Sequence, residues 1–248
     1  NIHSVNVSYD GYFPALHGGA GFYVSNDNLN GIINNLRGGF SYAYHFQAAR
    51  DLFISAGLSA SVCHRGYDFS GAILPDQIDP MRGAVLPSGE ILDLKGKSVL
   101  DLSTGFLFMS EHYFGGIAVN HLTEPDTDDS GYSESRINRR LLLHMAGDFD
   151  INADKTLKIR PLVKFELEKR YMSLGAGAVF ESRRLSMSSV LLFNDQRDLD
   201  LQAGFSVMSG IVTIFYNYRI NVLSGNNVLP LSLLHHTGIE LSLNNVEK

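Results

Sequence analysis

The chain has 248 residues, 44% of them hydrophobic, a size that fits one large all-β domain or two small domains. Its net charge of −6 argues against a basic nucleic-acid surface, and its single cysteine, Cys63, excludes an internal disulfide. No window approaches the roughly 18 consecutive apolar residues of a spanning helix, a criterion blind to membrane strands, which alternate apolar and polar side chains.

Alternation with a period of two predicts thirteen strands. The first covers residues 2–10, with Val5, Val7 and Tyr9 on one face and Asn6, Ser8 and Asp10 on the other. The second covers 19–26 and is followed by a turn cluster from Asn26 to Gly31. The third runs to Gln47. Its Leu36, Phe40, Tyr42, Tyr44 and Phe46 alternate with Arg37, Ser41, Ala43 and His45, and the aromatics gather at one end, as an interfacial girdle requires. The fourth sets Leu52, Ile54, Leu58 and Val62 against Ser55, Gly57, Ser59 and Ser61. An irregular stretch over 67–96 follows, with Pro75, Pro80 and Pro87. The fifth and sixth strands form a hairpin within 97–122. In it Leu100, Leu102, Thr104, Phe106 and Phe108 alternate with Asp101, Ser103 and Gly105, and Ser110, Glu111 and His112 make the turn. A polar acidic loop covers 123–134.

The seventh strand places Leu141, Leu143, Met145 and Phe149 opposite Arg140, His144 and Asp148. The eighth is the most polarised: Leu157, Ile159, Pro161, Val163, Phe165 and Leu167 lie on one side, and Lys158, Arg160, Lys164, Glu166 and Glu168 on the other. Four more strands are read at 171–180, 185–193, 199–208 and 211–221, then a loop at 222–230 and a last strand at 231–243.

No segment makes a long amphipathic helix, so the class is all-β. Most strands are longer than the 5–6 residues usual in soluble sheets and match the roughly 9–11 that a tilted membrane strand needs. The long loops follow the fourth, sixth and twelfth strands, and tight turns follow the odd ones. That parity is the pattern of an outer-membrane barrel with long extracellular loops and short periplasmic turns. The expectation is one transmembrane antiparallel barrel domain over residues 1–248. Single-chain bacterial barrels have even strand counts, so a further strand before Asn1, fourteen in all, is expected, with both termini of the full barrel periplasmic. Charges facing lipid cost roughly 2–4 kcal/mol for Arg or Lys at mid-bilayer, which assigns Lys158, Arg160, Lys164, Glu166 and Glu168 to the lumen. In the 67–96 stretch, Ile73, Leu74, Ile78, Met81, Leu86 and Ile91 are too apolar for a purely solvated loop. They are expected to plug the lumen or to meet a partner.

The run Asp101-Leu-Ser-Thr-Gly-Phe-Leu-Phe, then Tyr113-Phe-Gly-Gly-Ile-Ala-Val-Asn-His-Leu and Pro125, resembles the signature hairpin of the PorP/SprF family of the type 9 secretion and gliding-motility system. Supporting matches are Ser8-Tyr9-Asp10 with Pro14, Gly18-Gly19-Ala20-Gly21, Tyr42-Ala43-Tyr44, Ile78-Asp79-Pro80 and His236-Thr-Gly-Ile-Glu240, in order along nearly the whole chain. The resemblance implies a non-catalytic outer-membrane protein that helps secrete and anchor surface adhesins bearing a type B C-terminal sorting domain. It also implies contact with periplasmic peptidoglycan-binding components. The alternative is a passive channel for small solutes, supported by the polar lumen alone.

The residues agree with an absence of catalysis and cofactor: there is no HExxH, Walker loop, nucleophile elbow or Cys/His metal spacing. Asp126, Asp128, Asp129 and Gly131 faintly resemble a calcium loop, but Ile137 stands where a bidentate Glu belongs. His235 and His236 are adjacent on a strand and so face opposite sides, with His236 in the lumen near Glu240. Cys63 reads as a small strand residue.

Overall fold

A computed structural model of the chain describes residues 2–79, 81–85, 87–89, 96–127, 136–223 and 234–243. Its long strands are β1 (Ile2–Phe13), β2 (Gly18–Leu29), β3 (Ile33–Ala49) and β4 (Leu52–Tyr67). A small ladder, β5 (Ile78–Asp79) with β6 (Gly83–Ala84), precedes β7 (Lys97–Met109), β8 (Tyr113–Asn120) and β9 (Arg140–Gly147). Then come the short β10 (Phe149–Asp150), β11 (Leu157–Glu168), β12 (Tyr171–Ser182), β13 (Leu185–Asn194), β14 (Leu199–Ser209), β15 (Val212–Leu223) and β16 (Leu234–Leu241). Thirteen long strands pair in strict chain order from β1 to β16 in one sheet, with β10 as a side piece on β11. This is the up-and-down topology of an antiparallel membrane barrel. Among the described residues no helix is long and apolar enough to cross a membrane.

All thirteen expected strands exist, and several limits move outward. β2 continues through the expected turn cluster to Leu29, β4 continues to Tyr67, and Val222 and Leu223 extend β15. Gly11 lies in β1 and Gly18 in β2, so the turn between these strands is made by Pro14–Leu16 and His17 alone. The seventh expected strand is broken at Asp148, whose amide turns to the carbonyl of His112 (2.8 Å). The physical reason for the longer strands is common to them. Backbone pairing continues past the apolar belt, where side chains no longer alternate in hydropathy and the periodic signal fades.

The chain forms two compact units: Asn1–His45 with Ala56–Thr104 and Asn120–Arg139, and Phe46–Ser55 with Gly105–Val119 and Arg140–Lys248. In the first, β1, β2 and β3 pair over twelve positions per ladder, so Tyr9, Phe22 and Phe40 stand in one row with ring centroids 5.8 and 6.3 Å apart. Val5, Val7, Tyr9, Phe22 and Phe40 are all exposed, on the apolar face. The opposite, polar face is packed by rings laid over glycines. Tyr23 covers Gly39, where an added Cβ would stand 2.7 Å from the ring and 2.8 Å from Ser61.

In the second unit the register carries the apolar face as continuous rows. Ile159, Phe180, Met187, Phe205 and Tyr216 lie directly opposite one another across β11 to β15. The polar face of the same strands runs Lys164, Gly175, Leu192, Asp200, Asn221. Gly175 leaves room there for the Lys164 stem and Leu192, which close over it, both 2.8 Å from a notional Cβ.

Candidate functional site

On β11 the five charged residues occupy one face. Lys158, Arg160, Lys164, Glu166 and Glu168 are partly shielded, while Leu157, Pro161, Val163 and Leu167 on the other face are exposed. Their partners come from neighbouring strands. Arg160 donates to the Asp148 carboxylate at 2.6 and 3.2 Å, lies 3.5 Å from Glu181 on β12, and stacks its guanidinium over the Phe114 ring at 5.5 Å. Glu166 pairs with Arg140 on β9 at 2.6 Å. Lys164 is close enough to Glu166, Arg140 and Arg219 to feel their charges. Farther along, Asp200 is buried and fully bonded, by the Arg219 guanidinium and by the Asn221 amide at 2.7 Å. The carboxylates of Asp148, Glu166, Glu181 and Asp200 each meet a cation, as groups drawn from water require.

In the first unit, the end of β7 that carries part of the familiar sequence holds a buried carboxyl. Asp101 is 4% exposed. It meets His121 Nδ1 at 2.6 Å and accepts the Thr123 hydroxyl at 3.2 Å. Thr123 also donates to the Leu100 carbonyl, and the Leu122 amide donates to that of Leu102 at 2.8 Å. His121 and Glu124 both adopt left-handed backbone, at φ 58° and 44°, so the chain turns sharply off the end of β8. Arg139 then reaches back to Glu124 at 3.3 Å and to the Leu122 carbonyl. The spacing Asp101…His121-x-Thr123 is thus a clamp that fixes where the acidic loop leaves the sheet.

The loop after β4 is organised by two aspartates. Asp76 accepts the Ser88 hydroxyl at 2.9 Å and the Gly89 amide at 2.7 Å, and Asp79 accepts the amides of Met81 and Arg82 at 2.8 and 2.9 Å. Ile78 and Asp79 are therefore the shoulder of a tight β5–β6 turn, and Pro80 lies outside the described residues. Nearer the sheet, Ser70 donates twice to Asp68 and holds its carboxyl below the usual carboxylate range. On this frame Ile73, Ile78, Met81 and Val85 are exposed, Met81 at 95%, and Leu74 is half-buried. Leu86 and Ile91 lie outside the described residues.

His235 and His236 do face opposite sides: His235 takes the Tyr216 hydroxyl (2.8 Å) and packs on Tyr218, while His236 packs on Phe215. Cys63 is buried and free. Asp126 bridges backbone to Arg136, and the rest of the acidic run at 128–135 lies outside the described residues. Among the described residues no three His, Cys, Asp or Glu side chains gather to hold a metal. Sequence reasoning found Arg160 and Glu166 but not the pairs they make. Arg140 and Asp148 were legible as polar-face positions, yet nothing local joins residues 12 and 26 apart.

The family model described as type IX secretion system membrane protein PorP/SprF matches residues 1–233. The chain belongs to the PorP/SprF family. Among curated proteins none matches it significantly. Family and fold agree: a type IX secretion system membrane protein built as a barrel-type sheet crosses the bilayer with strands, whose backbone polar groups find partners across the ladders that join them. The hairpin that suggested the family from sequence is the one closed by Asp101, His121 and Thr123.

Proposed function

We propose that this PorP/SprF protein is an outer-membrane barrel that helps secrete and anchor cell-surface proteins, including adhesins with a type B C-terminal sorting domain, and links them to periplasmic peptidoglycan-binding components. The observation that carries this reading is the loop after β4. Hydrogen bonds to Asp76 and Asp79 hold a fixed frame that keeps Ile73, Ile78, Met81 and Val85 in water. A loop built only for solvation gains nothing from that arrangement, whereas a protein partner does. In this reading the loop is extracellular, and the charged face of β11, with Lys158, Arg160, Lys164, Glu166 and Glu168, lines the lumen. Thirteen alternating strands give β1 and β16 the same direction. In this reading both strands run from the outside towards the periplasm, and β16 ends on the periplasmic side.

The test is mass spectrometry of what co-purifies with the chain from gently solubilised outer membranes, beside the variant I78D/M81D. The expected result is a large surface protein and a periplasmic partner near stoichiometric ratio, with the surface protein lost from the variant. A surface protein retained by the variant overturns the role of the loop. A barrel that comes out alone and passes steady current in planar bilayers overturns the anchoring reading in favour of a solute channel.

A further inference from the structure

The apolar face of the second unit is not uniformly filled. A hollow of about 670 Å³ opens on it, lined from six successive strands by Ile54, Phe106, Ile117, Leu143, Val163 and Leu174. These residues alternate with polar-face partners along each strand, so they belong to the face that meets hydrocarbon in a membrane protein of this family. Elsewhere on that face large side chains stand in unbroken rows, such as Ile159, Phe180, Met187 and Phe205.

We propose that this hollow is a binding site for one acyl chain of a membrane phospholipid. The occupant follows from where the hollow lies. It is continuous with the lipid-facing belt, and the only polar residues that also border it, His144 and Lys164, sit at register positions of the opposite face of β9 and β11. A void of this size left empty would forfeit dispersion contacts along all of its walls, and its volume falls in the range of ordinary ligand sites. Hydrocarbon is the medium at hand, and a chain that enters the hollow trades a fluid surrounding for fixed walls of phenyl and branched aliphatic groups. Such a chain exchanges more slowly than the lipid around the rest of the belt.

The experiment is native mass spectrometry of the full chain reconstituted in phosphatidylethanolamine vesicles and extracted again in mild detergent. One phosphatidylethanolamine retained per chain is expected. Ile117→Trp, which fills the hollow, should lower the retained fraction severalfold, and Leu143→Phe should lower it less. Met187→Trp, on the unbroken part of the belt, should leave it unchanged. Heat-modifiable migration of each variant on gels shows that the sheet has assembled. No retained lipid in the parent chain, equal retention in Ile117→Trp, or equal loss in Met187→Trp would each overturn the proposal. A second copy of the chain or another protein bound there in place of lipid would overturn it as well.

Discussion

The two units hold their polar faces by different means. In the first, β1 to β4 present small residues, and the contacts that fix them are rings over glycines, as with Tyr23 on Gly39. Its deepest carboxyl, Asp101, has one imidazole and one hydroxyl. In the second, charge is spread across strands as pairs and triads, with Arg160 between Asp148 and Glu181, Arg140 on Glu166, and Arg219 on Asp200. The difference teaches where each unit is brittle. Packing over a glycine has no second-best arrangement, and a buried carboxyl with one imidazole and one hydroxyl has no reserve. A guanidinium one-third exposed between two carboxylates shares its load with water.

The largest effect should therefore fall in the first unit. His121→Ala leaves Asp101 buried with only the Thr123 hydroxyl, and breaking a buried pair in this way costs on the order of 3–5 kcal/mol. The check is the urea midpoint of unfolding in lipid vesicles. Asp101→Asn should cost less, because it leaves no carboxylate buried without its partner. If the two variants unfold together, the clamp does not depend on the carboxylate. Gly39→Ala comes next. Its Cβ would press on Tyr23, Ser61 and the Ala60 carbonyl, and the backbone cannot yield as a side-chain tip can. Overpacking of this kind costs about 1–3 kcal/mol, and Gly31→Ala, in open space but at φ 77°, separates crowding from backbone strain in the same assay.

Much of this was open to reading in the sequence. The strands, their order and the faces of β11 follow from alternation alone, because a period of two is local. The opposite orientation of His235 and His236 follows from the same rule. The clamp was not legible. Asp101, His121 and Thr123 all stood in the stretch that announced the family, but only the ladder between β7 and β8 brings residues 20 and 22 apart into contact. The same holds for Asp148, where a strand read as continuous is interrupted so that the carboxylate can meet Arg160. The β5–β6 ladder was hidden for another reason. Two residues per strand carry no periodicity, and the signal lies in Asp79 bonding to backbone amides.

A smaller effect is expected in the second unit. Arg160 is about one-third exposed, so water compensates part of what its removal uncovers. Arg160→Met should cost about 1 kcal/mol, well below the His121 variant, because a pair this exposed is screened. Arg160→Lys should recover only part of it, since an ammonium cannot offer the two donors that now reach Asp148. Asp148→Asn tested with and without Arg160→Met closes a double-mutant cycle that isolates the pair itself. A coupling near zero would mean that Glu181 and Phe114 hold Arg160 unaided.

At the bottom of the scale stands Lys155, whose amine is 4.0 Å from Asp150 and largely in water. An exposed pair at that distance has little Coulomb energy and loses side-chain entropy when it forms, so Lys155→Ala should shift the urea midpoint by less than ~0.5 kcal/mol. The turn it sits in is held by another residue. Asn152 accepts the amides of Thr156 and Leu157 at 3.0 Å each and donates to the Thr156 hydroxyl at 2.6 Å. Asn152→Ala should accordingly outweigh Lys155→Ala even though it removes no charge. The reverse order would show that charge, rather than backbone bonding, sets the stability of the second unit at its tight turns as well as on its strands.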